Sequence, residues 1–410
     1  MHFTLFPINR YLCCIAVCLF ILLALFTPHY SFEYDKLAFT SWCNYIFEHG
    51  ISEIHSIKNP DFNYPPLICY VFWIFGKCMG STQHITSNFY LFKVFALSFD
   101  FVAAFLVAHM VKEKALQVIS FLALVANPIF IYNSYCWGQF DGVFSCLVFL
   151  SLLLLLRYKI LWAVVLMVLA INLKFQAIIF VPPLVILALY VLHQNRLFYK
   201  LIPALFAGIT LQIFILLPFI LNHKLGEVLH TISGSVGYYT GITHTANNFW
   251  WLVLGSKIRG MSDTMRIGFL TYRQAGLLLF SLTSALAILP VFTAFIKKIA
   301  YNKNTIVPFA QLAVTFALIP LLFFFFNTQM HERYSHPAFI FIVLFSFTQK
   351  RYLPFIIMCI AYLGNVEPAV QSFHFPSYDI LLFNNLFVAC LYALLIVILF
   401  YHLYKPQLNY

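Results

Sequence analysis

An acid and an indole seven residues apart, Asp35 and Trp42 in SFEYDKLAFTSWCNYIFEHG, fall on one face of a helix with the acid towards its start. A carboxylate beside an apolar wall can take the proton of a hydroxyl as that oxygen forms a new bond, its pKa tuned by burial and neighbouring charge. Glu33 is the alternative base, and either acid also fits a solvated carboxylate capping a helix beside a membrane. Further on, NPDFNYPPL holds Asp61 and Tyr64 at an extended turn set by prolines, which also suits the entry to the next apolar stretch. Tyr135 to Gly142, YCWGQFDG, places Trp137, Gln139 and Asp141 between glycines. Such a set can stack on a sugar or headgroup and hydrogen-bond it, or serve as an interfacial Trp with a helix cap.

Cations follow. INLKFQ presents Lys174 and Gln176 where one apolar run turns back into the next, so the lysine either snorkels to the surface or holds an anion. TQMHERYSHP offers His331, Glu332 and Arg333. A zinc-protease reading fails because the second His stands at i+5, about 140° away on an ideal helix. Arg333 with His331 could instead grip a phosphate through the guanidinium fork, unless Arg333 and Glu332 simply pair with each other. THTANNFWWLVLG adds His244 and Asn247 as polar donors beside Trp250 and Trp251, with Lys257, Arg259, Arg266 and Arg273 making the region basic. An anionic lipid carrier would be drawn there. Asp100, seven residues after Lys93, lies inside an apolar run and is expected in a structural, hydrogen-bonded role.

The elements that must position these residues are membrane helices. Of 410 residues 62% are hydrophobic and only 9% charged, with 48 Phe and a mean hydropathy of +0.89. That excludes an ordinary soluble globule and leaves no room for a separate soluble domain. One all-α polytopic domain over 1–410 is expected, with about twelve spans. After a first span from Tyr11 to Thr27, read as uncleaved, they lie near 89–110, 115–133, 142–156, 160–173, 177–193, 201–221, 272–296, 305–326, 337–348, 352–366 and 383–404. With the N-terminus inside, Lys112, Arg157, Lys200, Lys297, Lys350 and Lys405 all fall on inner connections. Of the 13 acids, Glu113 stands in an inner loop and Asp100 in a span, leaving the rest on or near the outer side. Two large outer loops result, 29–88 and 223–272. The apolar segment 66–79 is placed on the outer membrane surface, since counting it as a span would turn every later basic loop outward.

Several chemistries drop out. No Gly-rich phosphate loop and no DxD pair occurs, so no nucleotide, no obligatory metal and no other cofactor is expected. Ten scattered Cys read as small apolar fillers. The formal charge of +11 fits inner loops and anionic headgroups, and nucleic acid is not expected as a partner.

The first-loop Asp35, the NYPPL turn, WGQFDG, the LKFQ hairpin and MHERY, in that order, together resemble the GT-C glycosyltransferases. The likeness spans nearly the whole chain and is greatest to the endoplasmic-reticulum glucosyltransferases that use dolichyl-phosphate-glucose and to bacterial proteins related to the second GPI mannosyltransferase. It implies an inverting transfer of a hexose from a polyprenyl-phosphate sugar to a glycan or glycolipid acceptor outside the membrane. By that resemblance Asp35 is the base, while His331, Glu332 and Arg333, joined by Lys174, lie at the carrier phosphate. Glu33, Asp61, Tyr64, Trp137, Gln139, Asp141, Gln176, His244 and Asn247 would then meet sugar or acceptor. Two departures favour the bacterial branch, hence an inner-membrane enzyme facing the periplasm. WGQFDG stands where the eukaryotic enzymes carry a His-rich motif, and Asp61 is three residues before Tyr64 where theirs precedes the Tyr-Pro-Pro turn directly. A polysaccharide polymerase and a lipid-linked glycan flippase are the competing classes.

Overall fold

The computed structural model describes residues 5–56, 62–235, 237–301 and 307–405; Asp61 lies outside them. Helices dominate, and among the described residues β structure is limited to two short pairs and two isolated bridges. Among the described residues eight helices are long and apolar enough to cross a membrane: Thr82–His109, Lys114–Trp137, Phe175–Gln194, Phe198–Leu221, Tyr272–Tyr301, Phe309–Phe326, Leu353–Val370 and Asn385–Tyr404. The chain is therefore an all-α polytopic membrane protein.

Four further expected spans form helices that fall short of that length: α1 (Arg10–Leu25), then Asp141–Leu156, Ile160–Leu173 and His336–Gln349. A 16-residue helix such as Asp141–Leu156 rises about 24 Å against a hydrocarbon core of about 30 Å. Their shortness has a local cause, because two of them stop at polar residues that gather in one place. Asp141 opens one helix and Lys174 caps another.

Burial divides the helices by role. Phe309–Phe326 is apolar on every side and 78% buried, packed by Tyr272–Tyr301, His336–Gln349 and Asn385–Tyr404. Asp141–Leu156 is likewise enclosed, lying along Ile160–Leu173 and Thr82–His109. Phe198–Leu221, by contrast, is only 22% buried and shows Ile202, Phe206, Ile209 and Phe214 outward, as a lipid-facing helix must.

The loop 29–88 carries α2 (Glu33–His49) and α3 (Pro66–Met79), the latter spanning the residues expected to form a surface helix. These two pack together, with the Cys43 thiol on the Phe72 carbonyl at 3.3 Å. Phe39, Trp42, Tyr64, Phe72 and Phe140 form a continuous aromatic cluster, centroids 5.5 to 6.1 Å apart, that welds the loop to the start of Asp141–Leu156. Lys93 fixes the entry to α2, its ammonium donating to the carbonyls of Pro28 at 3.0 Å and Tyr30 at 2.5 Å. The second loop, 223–272, runs through a helix at Leu225–Ser235, strand β1 (Thr243–His244), a turn of helix at Phe249–Leu254 and the hairpin of β2 (Arg266–Ile267) with β3 (Leu270–Thr271). β1 pairs in parallel with β4 (Met330–His331), which tethers this loop to the end of Phe309–Phe326.

Candidate functional site

Three separate stretches of chain meet around Trp137. Residues Ile131–Trp137 form a π-helix, whose extra residue per turn carries Trp137 and Asn133 out of ordinary helical register. Gly138 then turns at φ +82°, and a Cβ there would crowd the Lys93 stem at 3.1 Å. The turn delivers Gln139, whose backbone N–H donates to the Asn133 carbonyl at 2.8 Å.

Asp35, in the first turn of α2, is half-buried against this turn. Its Oδ2 accepts the Trp137 indole N–H at 2.7 Å and the Gln139 amide at 2.5 Å. Oδ1 makes no hydrogen bond among the described residues. One oxygen is thus held while the other is left open. Trp42 shares the helix but sits in the aromatic cluster, so the expected common face resolves into an anchor below and an acid above. Glu33 is exposed and pairs with Lys36 at 3.6 Å, which removes it from the cluster.

The guanidinium of Arg333 lies over the Trp137 ring, 4.5 Å from its centroid. Arg333 donates from Nη1 to Glu332 at 2.9 Å, and its Nε stands 3.5 Å from Asp141 Oδ2. Burial opposes its charge, yet the carboxylates of Glu332, Asp35 and Asp141 hold it protonated well above its ordinary range. Lys174 is buried and pairs with Asp141, which is fully buried and also accepts from Asn133 at 3.0 Å. Asp141 is enclosed and Lys174 is taken up by it, so the two side chains back Arg333 as a buried charge network. Gln176 likewise turns to the Tyr334 carbonyl at 3.2 Å.

The 331–335 stretch is not helical and His336 only opens the next helix, so the helical spacing argument applied to the two histidines does not describe it. His331 lies in β4, and its ring packs against His244 at 4.5 Å and Tyr239 at 4.8 Å. Burial, with Arg333 and His244 nearby, pushes its pKa well down, so it is neutral near pH 7. Burial lowers His244 as well, while it raises Tyr64 well above its usual value and keeps that hydroxyl a donor. Glu332 accepts from Thr245 in addition to Arg333. Asn247 is drawn in by its backbone, which donates to Asn365 Oδ1 at 2.8 Å, while the Asn365 amide reaches the Glu332 carbonyl at 2.6 Å.

The cluster thus brings together Asp35, Trp137, Gln139, Asp141, Lys174, Arg333 and Glu332, with His331 and His244 beside it. Asn133, Thr245, Tyr239 and Asn365 belong to it and escaped sequence reading, since an isolated amide or hydroxyl has no local pattern. Of the basic residues expected in the second loop, Arg273 is committed to Asp263 by two bonds of 2.9 and 3.0 Å. Asp100 is buried in its helix beside Ser134 and Gly142, apart from Asp35. Among the described residues no group of three or more His, Cys, Asp or Glu side chains is placed to hold a metal ion. No protein-family model matches the chain, and no curated protein matches it significantly.

Proposed function

We propose that the chain is an inverting glycosyltransferase of GT-C type, moving a hexose, mannose or glucose, from a polyprenyl-phosphate carrier to a lipid-linked or cell-envelope glycan. In this reading the four short helices complete twelve spans and the site faces outward, on the periplasmic side of a bacterial inner membrane. The observation that carries it is the shared indole of Trp137. Its N–H orients the Asp35 carboxylate while its face carries the Arg333 guanidinium, so a base and a phosphate-binding cation stand on two sides of one rigid group.

The chemistry follows from that spacing. Asp35 Oδ1 takes the acceptor hydroxyl proton as the acceptor oxygen bonds to the sugar C1. The C1–O bond to the carrier breaks on the opposite face, and its electron pair leaves on the polyprenyl phosphate, so the configuration inverts. Charge builds on the phosphate, where the Arg333 fork stabilises it. Arg333 Nη2 makes no hydrogen bond among the described residues and is the group free to meet a phosphate oxygen. His331, neutral and packed on Tyr239 and His244, forms an aromatic wall there rather than a second cation.

The test is transfer of radiolabelled sugar from synthetic polyprenyl-phosphate-mannose, -glucose and -galactose by purified protein in lipid. Extracted lipid-linked glycans serve as acceptors, with Asp35→Asn alongside. Transfer lost in the variant supports the reading and names the donor. No transfer from any donor, by folded protein that binds the glycan lipid, sinks it in favour of a polymerase or flippase.

A further inference from the structure

A cavity of about 580 Å³ opens beside β1, with Thr243 on its wall, within the usual size range of small-molecule sites. Its lining includes neither Asp35 nor Arg333. It contains instead Thr245, Asn247, Trp251, Arg259, Asn365 and Asn385. Trp251 is only 8% exposed, yet its indole N–H has no partner among the described residues. A buried donor left open calls for an explanation, and a ligand acceptor supplies one. The side-chain amides of Asn247 and Asn385 also make no hydrogen bond among the described residues, although both line the space.

An aromatic ring beside uncommitted amides is the chemistry that recognises a sugar, whose C–H face stacks and whose hydroxyls both donate and accept. The lining holds no carboxylate, which speaks against a cation. Its one charged residue, Arg259, is exposed and leans over the Trp251 ring at 5.9 Å. We infer that this cavity is a second carbohydrate subsite, binding neutral hexose residues of the acceptor glycan beyond the one that receives the new sugar. The assignment rests on the glycosyltransferase reading for its acceptor, not for its chemistry. It also has a route to the reacting groups. Thr245, on the cavity wall, donates to Glu332, which holds Arg333, and Asn365 joins Asn247 to the Glu332 carbonyl. An occupied cavity therefore bears on the placement of Arg333.

Calorimetric and saturation-transfer NMR titration of the full chain in lipid nanodiscs with mannotetraose and maltotetraose tests this. At least one tetrasaccharide should bind. Affinity should fall tenfold or more in Trp251→Phe, which keeps the ring and removes the donor, and in Asn385→Ala. It should vanish in Ala369→Trp, which fills the space, and persist in Asp35→Asn. Binding of neither tetrasaccharide, or equal binding by the wild type and the Trp251 and Asn385 variants, overturns the inference. Tetrasaccharide binding without transfer from any donor would leave the subsite standing and remove the glycosyltransferase reading. Transfer without tetrasaccharide binding would do the reverse.

Discussion

Trp137 donates its indole N–H to Asp35 at 2.7 Å across 102 positions of sequence. The contact joins the loop 29–88 to the end of the helix Lys114–Trp137, and it fixes which carboxylate oxygen remains open. Because Arg333 rests on the same ring, a displacement of the indole moves acid and cation together.

Trp137→Phe separates those roles. The ring that carries Arg333 survives, while Asp35 loses one of its two donors and keeps Gln139. Loss of one hydrogen bond to a charged group costs about 1.5–3 kcal/mol, so turnover should fall roughly 10- to 100-fold with the fold intact. Asp35→Asn should lose far more, about 10²–10⁴, with the same melting temperature. Sugar-transfer rates paired with thermal melts of both variants check the split, and equal rates for Trp137→Phe and wild type would remove the positioning role.

Arg333→Ala is expected to act on stability as well as on donor binding. The guanidinium is buried against Glu332 and Asp141, and its removal strands both carboxylates with Lys174 as their remaining cation. Breaking a buried pair in this way costs about 3–5 kcal/mol. Arg333→Lys should recover part of the stability but not the stacking or the fork, leaving a raised donor KM. Thermal melts of the three proteins with donor titrations decide it, and an unchanged melting temperature in Arg333→Ala would refute the network.

The helices were legible because each apolar run carries its own signal. The segments 201–221 and 66–79 reappear as Phe198–Leu221 and Pro66–Met79. What sequence reading missed is long-range. Lys174 reads as snorkelling or holding an anion and Asp141 as a sugar contact or helix cap, since nothing local says that an acid 33 positions away will take the lysine. Helical geometry does not describe the spacing of His331 and His336, since His331 pairs in a strand with His244 and only His336 opens a helix. The π-helix before Trp137 is equally silent, because one inserted residue leaves an apolar run looking the same.

Gly142→Ala tests how tightly the site is backed by the bundle. A Cβ at this position would run into the Asp100 carboxylate and come within 3.2 Å of Ser134 Oγ, one residue from Asp141. Overpacking of that kind costs about 1–3 kcal/mol, and the strain should reach Asp141 and through it Lys174 and Arg333. Gly226→Ala is the matched control, since a Cβ there meets nothing within 4 Å. The Gly142 variant should melt lower and transfer more slowly, whereas the Gly226 variant should match wild type. Identical melts for both variants would mean that the Asp100 contact does not constrain the fold.

His55 should make the seam between the loops 29–88 and 223–272 sensitive to acid. Its ring is buried between Phe62 and Phe219, centroids 5.0 and 5.2 Å away, and Nδ1 meets the Thr231 hydroxyl at 3.1 Å. Burial pushes its pKa from 6.5 down to about 4. A base whose folded pKa is depressed binds fewer protons folded than unfolded between those two values. Its contribution is complete above pH 6.5 and is lost as the pH falls towards 4, by on the order of 3 kcal/mol in all. His55→Phe keeps the aromatic packing and removes the titration, so the melting temperature of the wild type should drop more steeply than that of the variant between pH 7 and 4.5. Parallel melting curves would show that the ring protonates without penalty, and that the contact between Ile51–Ser56 and Leu225–Ser235 does not depend on a neutral His55.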